Sequence, residues 1–241
     1  MKNCYSKALI TTLVTLSVAA TLRAAPTAAD VGDAETFGHN VKYMGANSGF
    51  VTLSPDCSAE PSPSPPTSQC FTIAPAPATT TYNAQDIAII KLPKDVTKSV
   101  IYPALNFFVN YQLQNTTGVP QPQGLFDFFA TVDIESDVLN DPSVIDPATG
   151  MPAGGKLLGQ FNYRYRDDRS MDTDDRQRTR ITLVRVGNTG ITKAQLVNQG
   201  LSPIVVDKLF KSAMTIHLNI QGSAKLVTDA SITGNMRLFG D

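Results

Sequence analysis

Histidine and tryptophan are the residues that this sequence most conspicuously lacks: histidine occurs only at His39 and His217, and tryptophan is absent. Two imidazoles and three cysteines are too few for us to expect a zinc centre, and nothing indicates a cofactor. The sequence also lacks a G-x-S-x-G segment, which would present a nucleophilic serine. A Ser-His-Asp arrangement stays open, because its members need not be neighbours in sequence. We interpret both histidines as surface residues, and the scarcity of catalytic residue types favours a protein that is not an enzyme.

An excess of positive charge is missing as well. The chain carries 20 basic and 21 acidic residues, which gives a net charge of −1. Loss of Lys2, Lys7 and Arg23 with an N-terminal signal would leave 17 basic against 21 acidic residues, a net charge of −4. Nucleic-acid binding requires a basic surface, so we expect no nucleic-acid partner.

The one long apolar run lies near the N-terminus, at residues 8–22, and it follows the basic residues Lys2 and Lys7. Small residues come next, so the pattern is typical of a secretory signal peptide over residues 1–24, with cleavage after Ala24 or as late as Ala29. An uncleaved anchor is the alternative, but the run is short for a membrane span. We therefore expect a secreted or periplasmic protein that is not associated with a membrane, and the overall pattern is similar to that of exported bacterial proteins.

Few cysteines remain after such a signal is removed, because Cys4 would leave with it. Cys57 and Cys70 flank a segment rich in serine and proline, which can form no core of its own. In an oxidising compartment these two residues are expected to pair, and a loop of this length gives about 3 kcal/mol of stabilisation. Two free thiols or a metal-binding pair are the alternatives.

What the sequence does contain is a regular alternation of apolar and polar residues. It is clearest over residues 214–221, where Met214, Ile216, Leu218 and Ile220 share one face. The alternation resumes over residues 226–238, after Gly222-Ser223. Alternation of this kind indicates half-buried strands, and we interpret Gly222-Ser223 as a tight turn that joins the two strands in a long antiparallel hairpin.

Similar alternation over residues 102–114, 125–135, 157–166 and 177–186 predicts about nine or ten strands in all. We predict an all-β fold, an antiparallel two-sheet β-sandwich of jelly-roll or immunoglobulin-like general form, with residues 30–241 as a single domain. A small helical insert is expected near residues 192–211, where Thr192 and Ser202-Pro203 are typical helix starts. Leu209 and Phe210 are expected to dock the second helix.

Carboxylates form the first group of candidate site residues. The acidic cluster comprises Asp167, Asp168, Asp172, Asp174 and Asp175. It could ligate calcium, but its spacing is not that of an EF-hand, and interleaved arginines favour a salt-bridged hairpin tip. Asp127, Asp133 and Glu135 lie along the polar face of one strand, from which a pair for glycoside hydrolysis could be drawn.

Aromatic residues form the second group. A platform for stacking sugars could be built from Phe126, Phe128, Phe161, Tyr163 and Tyr165. Their period of two favours core packing instead, and the absence of tryptophan weighs further against carbohydrate binding.

The resulting hypothesis is an exported, non-catalytic β-sandwich that serves as a binding or surface-structural module. Its partner, a protein or cell-surface component, would bind through the long loops near residues 58–69, 140–155 and 167–176. The alternatives are a carboxylate-dependent hydrolase on a β-sandwich and a small outer-membrane β-barrel, in which the apolar rows would face lipid.

Overall fold

Strands dominate the computed structural model, which describes residues 41–58, 68–186 and 190–241. The segment predicted as a signal peptide and His39 lie outside the described residues. Within those residues the chain forms two short helices, α1 (Lys193–Asn198) and α2 (Pro203–Lys211), and a 3-10 turn at Asp137–Asn140. The strands are β1 (Lys42–Ser54), β2 (Ser68–Thr72), β3 (Thr79–Leu92), β4 (Val100–Gln114), β5 (Gln121–Glu135), β6 (Lys156–Met171), β7 (Arg176–Val186), β8 (Ile191–Thr192), β9 (Met214–Lys225) and β10 (Val227–Gly240).

The strands form two sheets, which confirms the predicted all-β sandwich. The six-stranded sheet has the order β2-β1-β10-β4-β7, with β8 also pairing with β4, and the four-stranded sheet has the order β3-β9-β5-β6. Neighbours are antiparallel except β1 and β2, which run parallel. The prediction of purely antiparallel sheets is wrong at this pair, because the segment between Ser54 and Ser68 is long enough for a crossover to return the chain alongside β1.

The core lies between the sheets and is built from the alternate residues that the sequence indicates. Phe107 and Tyr111 of β4 are fully buried, and so are Phe126 and Phe128 of β5. The Tyr111 ring stacks on Phe126 with 4.3 Å between ring centroids, and Phe107 lies 5.2 Å from Phe128. These aromatic residues therefore pack the interior, as their spacing predicts.

The predicted hairpin of the two last strands is wrong. The β9 strand continues through Gly222-Ser223, and the chain turns at Leu226, which has a φ of +57°. β9 then pairs with β3 and β5, whereas β10 pairs with β1 and β4 in the other sheet. Both strands have an apolar face, and these faces meet across the core instead of lying side by side in one sheet.

The helical insert is present where it is predicted. The Thr192 hydroxyl accepts a hydrogen bond from the Gln195 backbone N–H at 3.0 Å and so caps α1. Pro203 stands at the start of α2, and Leu209 and Phe210 are buried on its inner side. The helices therefore cover part of the core that the sheets leave open.

No helix among the described residues combines the length and the apolar character that crossing a lipid bilayer requires.

The register places the long connections at opposite ends of the sandwich. At one end Gln121 pairs with Met171, beside the turn of residues 172–175. The disulfide between Cys57 and Cys70 lies near the same end, because β1 finishes there. At the other end Glu135 pairs with Lys156, so residues 136–155 leave and re-enter the four-stranded sheet there.

Candidate functional site

A cleft of about 690 Å³ opens on the four-stranded sheet. One straight cross-strand row runs through it, because Asn83 pairs with Gln221, Gln221 with Phe129, and Phe129 with Arg164. Residues that pair directly across strands point to the same face, and these four point away from the core. We call them the Phe129 row. It presents two amides, one aromatic ring and one guanidinium group side by side.

Asp127 lies in the same cleft, two residues before Phe129, and each of its carboxylate oxygens accepts a hydrogen bond. Its Oδ2 accepts a hydrogen bond from Arg164 Nη2 at 3.1 Å, and its Oδ1 accepts one from the Ser223 backbone N–H at 2.9 Å. The residue is only 9 % exposed. The carboxylate therefore holds Arg164 in place and fixes the chain at Ser223, and it is poorly placed to accept a proton from a ligand.

One wall of the cleft is formed where neighbouring strands come close to each other at Gly222. The buried Tyr82 hydroxyl donates a hydrogen bond to the Asp127 carbonyl at 2.8 Å. Burial raises the pKa of Tyr82, so its hydroxyl keeps the proton that it donates. A Cβ atom at Gly222 would lie 2.5 Å from Tyr82 Oη and would overlap the Asp127 carbonyl oxygen. Glycine at this position thus allows β3, β9 and β5 to meet.

A second cavity of about 250 Å³ adjoins the cleft, and Asn83 and Gln221 line both. Asp133 lies in this second cavity, where its Oδ1 accepts a hydrogen bond from the Gly159 N–H at 2.7 Å and its Oδ2 accepts one from Asn219 at 2.6 Å. Burial raises the pKa of the Asp133 carboxyl, and these hydrogen bonds partly oppose the shift. The two cavities form one groove along β9, and Ala148 of the 136–155 connection lies on its border.

His217 lies on the outer face of β9, as the alternation predicts, but it is not a surface residue. It is only 5 % exposed. Its Nδ1 is hydrogen-bonded to Asp86 Oδ1 at 2.7 Å, and its Nε2 lies 3.1 Å from Glu135 Oε2 without the alignment of a hydrogen bond. Asp86 reaches the ring because β3 is irregular between Ala84 and Ala88, where Asp86 has a φ of +59°. With a carboxylate beside each ring nitrogen, the imidazole is poorly placed to activate a nucleophile.

The three carboxylates considered for glycoside hydrolysis are spread along β5, two of them in the groove and one beyond it. Asp127 lies in the cleft and Asp133 in the second cavity, whereas Glu135 lies in a cavity of about 360 Å³ at the far end of β5. Glu135 is also 3.2 Å from Lys156 Nζ. A glycosidase requires two carboxyl groups that flank one bound sugar linkage, whereas these three carboxylates follow one another along a single strand.

The acidic cluster is divided between a strand and a turn. Asp167 and Asp168 lie within β6, which continues to Met171. Asp168 contacts Arg166 at 2.5 Å and Asp167 contacts Arg169 at 2.5 Å. Asp167 is also hydrogen-bonded to the Tyr111 hydroxyl. Both side chains are therefore occupied by neighbours of this chain.

The other members, Asp172, Asp174 and Asp175, form the turn between β6 and β7. Asp175 Oδ2 accepts a hydrogen bond from the Asp172 N–H at 2.9 Å, and the Asn115 side chain holds the Asp172 carbonyl at 2.9 Å. Within the described ranges, no group of three or more histidine, cysteine, aspartate or glutamate side chains is arranged to hold a metal ion.

The Phe129 row was not among the residues singled out from the sequence. Phe129 interrupts the alternation of residues 125–135 by placing an aromatic ring on the polar face, and Gln221 lies on the polar face of β9. An aromatic residue out of phase with its strand is a signal that the sequence carries. Its alignment with Asn83 and Arg164 depends on strand pairing, which the sequence does not reveal.

Comparison with models of protein families, with curated proteins and with solved structures finds no match for this chain.

Proposed function

We propose that this protein is an exported, non-catalytic binding module whose ligand occupies the groove along β9. The observation that supports the proposal most directly is the Phe129 row, in which side chains of four strands converge in one cleft. Binding sites typically combine a concave surface with a few convergent polar groups. Among the cavities described above, only this arrangement includes an outward-facing aromatic ring, which lies between the Gln221 amide and the Arg164 guanidinium group.

Export is supported by two independent features. Residues 1–29 have the pattern of a signal peptide. Cys57 and Cys70 are joined by a disulfide, and such bonds form and persist mainly in oxidising compartments. A secreted or periplasmic location is therefore proposed.

We propose that the protein is not an enzyme because the candidate acid and base side chains are held by other residues of the chain. Asp127 and Asp133 each accept hydrogen bonds at both oxygens, and His217 has a carboxylate beside each nitrogen. The hydrogen bonds hold Asp127 and Asp133 against neighbouring strands, and the two carboxylates hold the His217 ring, which supports a structural role for all three side chains.

The test uses thermal-shift measurements with a panel of neutral saccharides, acidic saccharides, peptides and anionic phospholipid vesicles. We expect one class to raise the melting temperature of the native chain and to lose this effect in Phe129→Ala and Gln221→Ala. Phe108→Ala is the matched control for the ring, because Phe108 is 49 % exposed on the outer face of the other sheet. Asn106→Ala, at an exposed amide on that face, is the matched control for Gln221→Ala.

Two results would overturn the proposal. One is a rise in melting temperature that persists in both groove variants but disappears in Phe108→Ala or Asn106→Ala. That result would place the ligand on the six-stranded sheet. The other is turnover of the bound compound that stops in Asp133→Asn or His217→Ala, which would favour a carboxylate-dependent hydrolase.

A further inference from the structure

We infer that the groove along β9 binds an uncharged, hydroxyl-rich chain, that is, a neutral oligosaccharide. This inference rests on the proposed function, because it names the ligand class of the same groove. It depends on three properties of the groove: its charge, its hydrogen-bonding groups and its length.

The charged groups of the cleft are paired with each other. The cationic group, Arg164, lies 3.1 Å from Asp127, the acidic residue that lines the same cleft. In the second cavity Asp133 accepts hydrogen bonds from two neutral donors, the Gly159 N–H and the Asn219 amide, and burial raises the pKa of its carboxyl. A charged ligand would compete with the Asp127–Arg164 pair in the cleft. The charge pattern therefore favours a neutral ligand.

Apart from the Arg164 guanidinium group, the exposed polar side chains of the groove are amides and hydroxyls, which both donate and accept hydrogen bonds. Gln221 and Thr81 are exposed, and neither side chain is hydrogen-bonded to another described residue. Sugar hydroxyls need partners that can donate and accept in this way. The Phe129 ring supplies the one kind of surface that amides lack, a flat apolar face against which the C–H face of a sugar ring can pack.

The apolar surface is too limited for a lipid or another largely apolar ligand. In the cleft it consists mainly of the Phe129 and Phe71 rings, and Phe71 also packs against Tyr82 at 5.9 Å between centroids. Drug-like and lipid pockets are lined mostly by apolar side chains. The mixture found here is that expected for a polyol.

The length of the groove favours a chain over a single sugar. Its two cavities share Asn83 and Gln221 and extend along β9 from Ser223 to Asn219. Four residues of a strand span ~13 Å, which is longer than one sugar ring. Successive sugars would lie over the Phe129 row in the cleft and beside Thr131 and Asn219 in the second cavity.

The experiment is an array of neutral oligosaccharides with different linkages, followed by calorimetry on the strongest binder and on its monosaccharide. We expect Phe129→Ala and Gln221→Ala each to weaken binding by about 3- to 10-fold, the loss of one ring contact or one neutral hydrogen bond. Phe108→Ala and Asn106→Ala should bind as the native chain does. Each variant is first checked for an unchanged circular dichroism spectrum and a cooperative melt. The monosaccharide should bind more weakly than the chain.

The outcomes separate this inference from the proposed function. One outcome is that no neutral oligosaccharide binds, whereas an acidic saccharide or a peptide binds the native chain but not Phe129→Ala. The proposed ligand class would then be wrong, and the proposal that the groove is the binding site would be supported. If neutral oligosaccharides bind equally well to all four variants, both proposals fail, because the site is elsewhere. Equal affinity for the monosaccharide and the chain would contradict the argument from length.

Discussion

At the scale of single residues, the Asp241 carboxylate accepts more hydrogen bonds than any other carboxylate in the described part of the chain. Its Oδ1 accepts from the backbone N–H groups of Lys98, Ser99 and Val100 at 3.0–3.1 Å and from the Thr97 hydroxyl, and its Oδ2 accepts from the Ser99 hydroxyl at 2.6 Å. Consecutive backbone N–H groups form a concave anion site. The end of β10 is thereby fixed to the chain that enters β4.

The pH dependence of stability follows from this contact. Burial raises the pKa of Asp241, but the hydrogen bonds from Ser99, Val100 and Thr97 outweigh it and lower the pKa to about 2. Because an unfolded aspartate titrates near ~3.9, the stabilisation is fully present above that pH and is lost as the pH falls towards 2. We expect Asp241→Ala to lose about 1–2 kcal/mol at pH 7, allowing for solvent screening. Urea denaturation between pH 7 and pH 2 should show this difference shrinking.

Asp174→Asn serves as the control, since Asp174 lies in an exposed turn at a φ of +61°, which asparagine tolerates. We expect its stability to stay within about 0.5 kcal/mol of the native chain. A deficit of Asp241→Ala that is equally large at pH 2 and pH 7 would contradict the assignment.

A second prediction at this scale concerns Gly222. Substitution by alanine would force apart the Asp127 carbonyl and the Tyr82 hydroxyl, so we expect a loss of about 2–4 kcal/mol and loss of ligand binding in the groove. Gly234→Ala is the matched control, because its Cβ would come no closer than 3.3 Å to Leu218 Cδ2. Denaturant titration of both variants measures the difference in the free energy of unfolding. Equal losses in the two variants would show that the close approach of the strands at Gly222 does not cause the destabilisation.

At the scale of elements, the alternation in the sequence predicted the buried faces but not the partners of the strands. Leu218 and Ile232 both point into the core as predicted, yet their strands lie in different sheets. An apolar face shows that a strand is buried on that side, but it does not show which strands pair with it or in which sheet it lies. The turn at Leu226 was missed for a related reason, because Gly222-Ser223 resembles a turn when its role in strand packing is unknown.

The contacts on the outer face of the four-stranded sheet were predicted less well than the buried faces of the strands. His217 was placed on the correct face of β9, but the sequence did not reveal its burial or its contact with Asp86, which the irregularity of β3 brings to the ring nitrogen Nδ1. Phe129 is out of phase in the sequence, but only the register shows that it lies between Gln221 and Arg164. The site consists of cross-strand neighbours, and these are set by pairing over long sequence separations.

The disulfide provides the prediction for an element. Cys70 lies in β2 and Cys57 follows β1, with a sequence separation of 13. Replacing both cysteines by serine should reduce the free energy of unfolding by about 2–3 kcal/mol, since a loop of this size is no longer closed in the unfolded chain. Urea denaturation with and without reductant measures the loss. Reductant should lower the free energy of unfolding of the native chain to that of the variant, and it should leave the variant's value unchanged. If reductant also lowers the variant's value, the loss does not come from this disulfide.

At the scale of the whole molecule, the two outer faces differ in character. The four-stranded sheet carries the groove, with Asp127 and Arg164 paired across it. The outer face of the six-stranded sheet carries exposed apolar side chains, among them Tyr43, Phe108 and Val184. The proposed ligand site lies on the first face, where polar side chains converge in a cleft of about 690 Å³.

The parallel strand β2 has a consequence for how the protein behaves in different compartments. It covers the edge of β1 from Phe50 to Ser54, and the disulfide tethers it there. An uncovered edge offers unpaired N–H and C=O groups to any other strand. Under reducing conditions the tether would be absent, and copies of the chain could associate through the uncovered edge of β1. Formation of the disulfide would then act against self-association, so that it protects the sheet as well as stabilising it.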